Sequence, residues 1–382
     1  MKKEYLMIPG PTPIPREVSQ ALGAEIFNHR GPRFRALIEE VTGKLKKIFQ
    51  TSNDIFILTS SGTGAMEAGI VNHIPPGEQV LSLSNGVFGE RMAAIAKAYG
   101  VEVVGINSEW GKPLNYDVLA QKLAVDTARK IKAILMVHNE SSTGMMNDVE
   151  KVSKIRGEHP ALLITDTVSS LGAVPLPVDD WKIDVCFTGS QKALMSPPGL
   201  AFVSVSPRAW AAQKNVSGCY YFNLKKAREF MEIGQTPFTP AVLQVEALNT
   251  ALDKLLEENR DRVHERHLRM MRAVRGAAKA LRLDLLISNE NDASRTVTAI
   301  KSPRNIDVKN LRLIMHEKYG VDIAGGQGKL SNETFRIGHL GAVSELDIVA
   351  TIAALEMSLL EMGYNLELGS GVSEAQKIIM DI

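Results

Sequence analysis

Cysteine is scarce in this chain, with only Cys186 and Cys219 among 382 residues. Two thiols build no disulfide framework, and neither sits in a CxxC or metal-ligand spacing, so a reducing cytoplasm is the expected setting. An excess of charge of one sign is also missing. The 44 basic and 43 acidic residues leave a net charge of +1. That removes the electrostatic reason to expect nucleic acid, an anionic membrane or a polyanionic partner. Long apolar runs are absent too. Glu4 and Pro9 interrupt the stretch a signal core would need, and residues 348–360 contain Glu356 and are too short to span a bilayer. No repeat or low-complexity tract is visible. The composition, 45% hydrophobic and 23% charged, is ordinary for a soluble enzyme, and the length suits a large domain joined to a smaller one.

Periodicity then sets the expected architecture. Pro9, Pro11, Pro13 and Pro15 fix φ and lack N–H groups, which predicts an extended, docked arm over residues 1–19. Phe34, Leu37, Ile38, Val41, Leu45 and Ile48 recur at helical spacing. Short, nearly continuous apolar runs follow at 55–58, 80–83, 101–106, 133–137, 162–165, 185–188 and 201–205, with helical patterns between several of them. Such runs predict a mostly parallel seven-stranded sheet covered on both faces, in a large domain over 20–245. Two long helices are expected over 241–281, broken near Asn259. Strands are expected at 283–287, 296–300, 321–323 and 334–337, with helices from Val308 and from Ser344 to about Met362. Residues 246–382 therefore read as a smaller C-terminal α/β domain.

Three segments have chemical character. Ser61-Gly62-Thr63-Gly64-Ala65 joins a strand to a helix, where glycines and free N–H groups can hold a phosphate. It has neither the Walker A ending nor the GxGxxG spacing, and a plain turn would look similar. Asp166 closes the run at 162–165, where ligands bind in open α/β sheets. A buried carboxylate there needs a positive partner, although a helix cap is the simpler reading of an aspartate alone. Lys192 follows the run at 185–188 among small and polar residues. An amine so placed can lose its proton and attack an aldehyde, whereas a loop lysine would need no such role. Pyridoxal phosphate (PLP) asks for all three groups: a phosphate cup, an acid for the ring nitrogen and an amine for the aldehyde.

Further segments occur in one order with these: Pro9-Gly10-Pro11-Thr12, Asn28-His29-Arg30-Gly31-Pro32, His138-Asn139-Glu140-Ser141-Ser142-Thr143-Gly144, Asp166-Thr167-Val168-Ser169-Ser170-Leu171-Gly172, Gly189-Ser190-Gln191-Lys192-Ala193-Leu194 and Phe335-Arg336-Ile337-Gly338. Together they resemble the class V aminotransferase family of fold-type I PLP enzymes, with most likeness to the alanine–glyoxylate and serine–pyruvate group. The resemblance implies that Lys192 is the Schiff-base lysine and proton shuttle and Asp166 the partner of the pyridine nitrogen. It places Val168 under the ring and Phe88 stacked on it, where many relatives carry tryptophan. It assigns Thr63, Gly64, the Ala65 amide and Gln191 to the phosphate and cofactor cup, Ser142 to the phenolic oxygen, and Arg336 to the substrate α-carboxylate. It further implies a homodimer with shared active sites. Thr239, in the segment 234–240, would reach the neighbouring phosphate, Thr236 stands where some relatives have tyrosine, and the proline-rich arm would suit a crossing between subunits.

The implied reaction moves an amino group from a small amino acid, alanine or serine, to a small 2-oxo acid, glyoxylate or pyruvate, by a ping-pong route. A dicarboxylic substrate would want a second cation, for which His29 and Arg30 are the candidates. Within the family, 2-aminoethylphosphonate–pyruvate enzymes usually read Asn-Lys where this chain has Gln191-Lys192. Ureidoglycine–glyoxylate enzymes usually have glutamine at the place of His29. A cysteine desulfurase would need a nucleophilic cysteine that neither Cys186 nor Cys219 supplies. A nicotinamide dehydrogenase would want GxGxxG, and a non-catalytic subunit of a complex would not need every catalytic position filled.

Overall fold

A computed structural model describes residues 3–213 and 219–381. Its centre is a seven-stranded sheet in the order Asp54–Thr59, Leu200–Val205, Val185–Gly189, Leu162–Asp166, Ile131–Val137, Gln79–Ser84, Glu102–Asn107. Neighbours are parallel from Val185–Gly189 to Glu102–Asn107, and Leu200–Val205 runs antiparallel to both strands beside it. The three strands Leu162–Asp166, Val185–Gly189 and Leu200–Val205 are buried throughout. Burial on both faces explains why their sequence runs show no polar alternation. Successive side chains still point to opposite sides. Cys186 joins a core with Phe34, Val41, Leu248 and Leu252 from helices Pro32–Phe49 and Val242–Glu258. Val185 and Phe187 join another with Ala65, Met66, Ile70 and Met92 from helices Gly62–Val71 and Val87–Ala98.

The C-terminal elements are a three-stranded antiparallel sheet, Val297–Lys301, Thr334–Gly338 and Ala324–Gly325, packed on helices. Ile300, Leu311, Phe335, Ile337, Ile352 and Leu355 share its core with Val274 and Ala277 of the long helix Arg260–Ala280. That helix is separated from Val242–Glu258 at Asn259, which takes φ 73° and accepts the Asp261 N–H at 3.0 Å. Among the described residues no helix is long and apolar enough to cross a membrane.

Three sequence expectations change. The run at 283–287 is not a strand, because Arg282 turns with φ 57° and only Leu285 bridges to Ile300. A helix not foreseen, Ser370–Met380, follows Glu345–Glu361. It is anchored by buried Glu356, which accepts N–H groups of Gly369, Gly371 and Val372. The arm is not extended throughout. Arg16–Ala21 is helical and buries Val18 against Ala247 and Ala251. Its start, Tyr5–Leu6, pairs in parallel with Val321–Asp322, so within one protomer it belongs with the C-terminal elements.

Candidate active site

Asp166 is the last residue of its strand and only 3% exposed. One oxygen accepts the Val168 N–H at 2.8 Å. Burial pushes the carboxyl up to about 7, the Glu140 charge adds to this, and the positive charges of Lys192 and Arg91 oppose it. Lys192 lies in the turn after Val185–Gly189, half-buried, and its amine donates to the Pro9 carbonyl. Burial lowers the amine to about 8, Asp166 acting against the shift and Arg336 with it. Both groups line a cleft of about 530 Å³, and the neutral form of the amine becomes substantial only as pH approaches 8.

The arm forms part of this arrangement. A Cβ on Gly10 would lie 2.7 Å from Lys192 Cε and 2.8 Å from Cδ, at a backbone φ of +138° that side chains rarely adopt. Gly10→Ala is thus expected to displace the lysine and lower kcat/KM about 100-fold, the scale of a 1 Å misplacement at a reacting group. Steady-state assays beside a melting curve check this, and unchanged turnover would exclude the contact.

Val168 and Phe88 both line the cleft. Val168 packs on Gly62, where a Cβ would sit 3.0 Å from its Cγ2. Gly62 opens the helix Gly62–Val71, whose N-cap Ser61 makes no side-chain cap. The Gly64 and Ala65 amides already donate to Ser61 O at 2.9 and 3.3 Å. The helix start therefore offers the Gly62 and Thr63 N–H groups. Gly64 admits no side chain, since a Cβ would lie against Ser60 Oγ and 2.8 Å from Phe222. Gln191 lines the cleft with a buried Oε1 that has no partner.

Phe88 is placed by a carboxylate. Glu140, fully buried, accepts the Phe88 and Gly89 N–H groups at 3.0 Å each, at the start of the helix Val87–Ala98. The helix dipole favours negative charge there. Ser142 donates its hydroxyl to the same carboxylate and accepts Val87 N–H at 3.0 Å. Ser142 is fully buried and is not on the cleft wall. From that loop Asn139 lines the cleft, its carboxamide nitrogen on Ser141 Oγ at 3.2 Å and Thr296 Oγ1 at 3.1 Å. Sequence reasoning passed over Asn139, Glu140 and Arg91. For Arg91 a signal was present: it lies three residues from Phe88 on one helix, hence on the same face.

Besides Ser142, and Gly64 and Ala65, whose amides are taken up by Ser61 O, two more expected residues lie apart from the cleft wall. Arg336, 5% exposed on the strand Thr334–Gly338, donates to Gly325 O at 2.8 and 3.0 Å and to Ser141 O at 2.8 Å. Burial lowers it to about 10. Thr239 is exposed in a separate groove of about 670 Å³ with Thr236, Tyr221 and Phe222, away from Lys192 of the same protomer. Arg30 is exposed and bonds Gln235 and the Thr236 carbonyl.

The cleft residues fit PLP. Asp166 is a buried carboxylate in need of a cation, Lys192 an amine whose hold on its proton burial weakens, Gly62 a helix-start backbone on the cleft wall that a Cβ would crowd against Val168, and Phe88 and Val168 apolar walls for a flat ring.

Comparison with known proteins agrees. The Aminotransferase class-V family matches residues 4–337. The chain is 36% identical to a serine–glyoxylate aminotransferase of Arabidopsis thaliana, covering 98% of this chain and 94% of that one. It is 45% identical to a protein of Anabaena cylindrica named soluble hydrogenase 42 kDa subunit, covering 98% of each. That name concerns the relative. Among the residues described here, no group of three or more His, Cys, Asp or Glu side chains is arranged to hold a metal ion. The fold superposes on a pyridoxamine–pyruvate aminotransferase of Mesorhizobium loti with a TM-score of 0.94 and 28% identity, covering 100% of this chain and 98% of the other. With the match running through every segment of the cleft, the chain belongs to the class V aminotransferases, fold-type I enzymes that depend on pyridoxal phosphate.

Proposed function

We propose that the protein transfers an amino group from alanine or serine to glyoxylate or pyruvate, in two half-reactions at Lys192. The packing around that lysine carries the reading. Burial weakens its hold on a proton, Asp166 lines the same cleft, and Gly10 stands against its side chain; the preference for small substrates follows from Arg336 being the one well-matched carboxylate clamp.

Bound PLP supplies the electron sink that lets a substrate Cα–H bond break. The residues do the rest. Lys192 would hold the cofactor covalently, and its amine would take up and return the substrate Cα proton. Asp166, ionised, keeps a proton on the pyridine nitrogen. Phe88 and Val168 fix the ring plane. Arg336 is oriented by the Gly325 and Ser141 carbonyls and would supply the positive charge for the donor's α-carboxylate. The first product leaves before the acceptor arrives, which is ping-pong kinetics. Thr239, exposed in this protomer, suits donation to the phosphate of a second copy in a homodimer. Two free cysteines accord with a reducing cytoplasm.

A donor-by-acceptor panel tests this reading. Alanine or serine, with glyoxylate or pyruvate, is expected to exceed aspartate, 2-aminoethylphosphonate and ureidoglycine by roughly tenfold or more in kcat/KM. A best donor outside the first pair would overturn it.

A further inference from the structure

Two cations line the cleft, Lys192 and Arg91. Lys192 is committed to the cofactor aldehyde. The phosphate cup itself is neutral, made of the Ser61 and Thr63 hydroxyls, first-turn amides and Gln191. A phosphate near two negative charges is most stable with a cation beside it. Arg91 Nη1 donates to Thr63 Oγ1 at 3.3 Å, at the edge of that cup. The guanidinium carbon lies 4.8 Å from the centre of the Phe88 ring, a cation–π distance. Arg91 has no ion-pair partner among the described residues, unlike Arg156 and Arg208, which both meet buried Asp184. The Glu140 carboxylate anchors the start of the helix, so Phe88 and Arg91 are presented together.

We propose that Arg91 is a phosphate-binding residue, holding the anionic arm of the cofactor from the Thr63 side of the cup. The inference rests on the reading of this cleft as the PLP site. It differs from a substrate-carboxylate role because the contact is with Thr63, in the cup, and not with Gly10 or Arg336.

The test is titration of the full-length, cofactor-stripped protein with PLP and, separately, with pyridoxal, which lacks the phosphate, followed by quenching of protein fluorescence. Arg91→Met keeps an apolar stem over Phe88 and removes the charge. PLP affinity is expected to fall about 10- to 100-fold, the range of a charge-assisted hydrogen bond. Pyridoxal affinity should stay within about twofold, and Arg91→Lys should recover part of the PLP affinity. Equal loss of both ligands would overturn the proposal and leave Arg91 a support for Phe88. Unchanged PLP affinity with a raised KM for the amino donor would overturn it in favour of substrate recognition. If the parent protein binds PLP no better than pyridoxal, the phosphate cup falls together with Arg91, whereas parent-like behaviour of the variant rejects Arg91 alone. Melting curves of both variants separate these results from misfolding.

Discussion

Replacing Lys192 by alanine is expected to lower transaminase kcat/KM by more than about 10⁴-fold, since covalent attachment and proton transfer are lost together. Borohydride treatment should then attach no cofactor to the peptide that contains position 192, as read by mass spectrometry. The fold should survive. The amine donates only to the Pro9 carbonyl, and its pKa is lowered to about 8 from 10.5. A lysine so shifted destabilises the folded state while it is charged. That penalty is full below about pH 8 and fades as pH rises toward 10.5. The cofactor-free variant should accordingly melt no lower than its parent near pH 7. Turnover comparable to the parent's would show that another group moves the proton.

Asp166→Asn is expected to separate activity from stability. Asparagine cannot hold a proton on a pyridine nitrogen, and loss of one placed electrostatic partner costs roughly 10²- to 10³-fold in rate. The cofactor-free protein should respond in the opposite sense. Burial raises the Asp166 pKa from 3.8 to about 7. Between these values the unfolded chain binds fewer protons than the folded one, so stability contributed by this site falls as pH rises. The penalty above pH 7 is on the order of 4 kcal/mol by the usual conversion. Asparagine carries no such penalty. Melting temperatures of the two cofactor-free proteins should coincide near pH 4 and diverge by pH 7, with the variant higher. Parallel curves across that range would contradict the burial argument. Capture of PLP by the parent should also quicken as pH rises through 7 to 8, because ionised Asp166 and neutral Lys192 are both favoured there.

The central sheet was legible because its inner strands are buried on both faces and bounded by glycine or polar turns. The tail was less so. Residues 283–287 have the apolar look of a strand, yet they follow a helix end and meet only one bridge, at Leu285. The helix Ser370–Met380 depends on Glu356, fourteen residues upstream of its first residue, for its start, a tertiary cap that no local pattern announces. In the site, Asp166, Lys192, Thr63, Phe88, Val168 and Gln191 come together as their order along the sheet suggested. Ser142 is different. Two adjacent serines share one turn, and only the fold decides that the second faces Glu140 and not the cleft. Thr239 lines a separate groove, a placement its own segment does not announce.

The path of the arm sets an order of assembly. Pro9 and Gly10 are made first, yet they are held between Lys192 and glycines made last. A Cβ on Gly338 would strike Ile8 O, and one on Gly341 would meet Thr12 Oγ1 at 2.6 Å. Tyr5 and Leu6 wait likewise for Val321 and Asp322. Chains fold from the N-terminus as they leave the ribosome, so the large sheet can form while this wall is still open. Lys192 is enclosed only when the last quarter of the protein has been synthesised, and a truncated chain would present the same lysine unshielded.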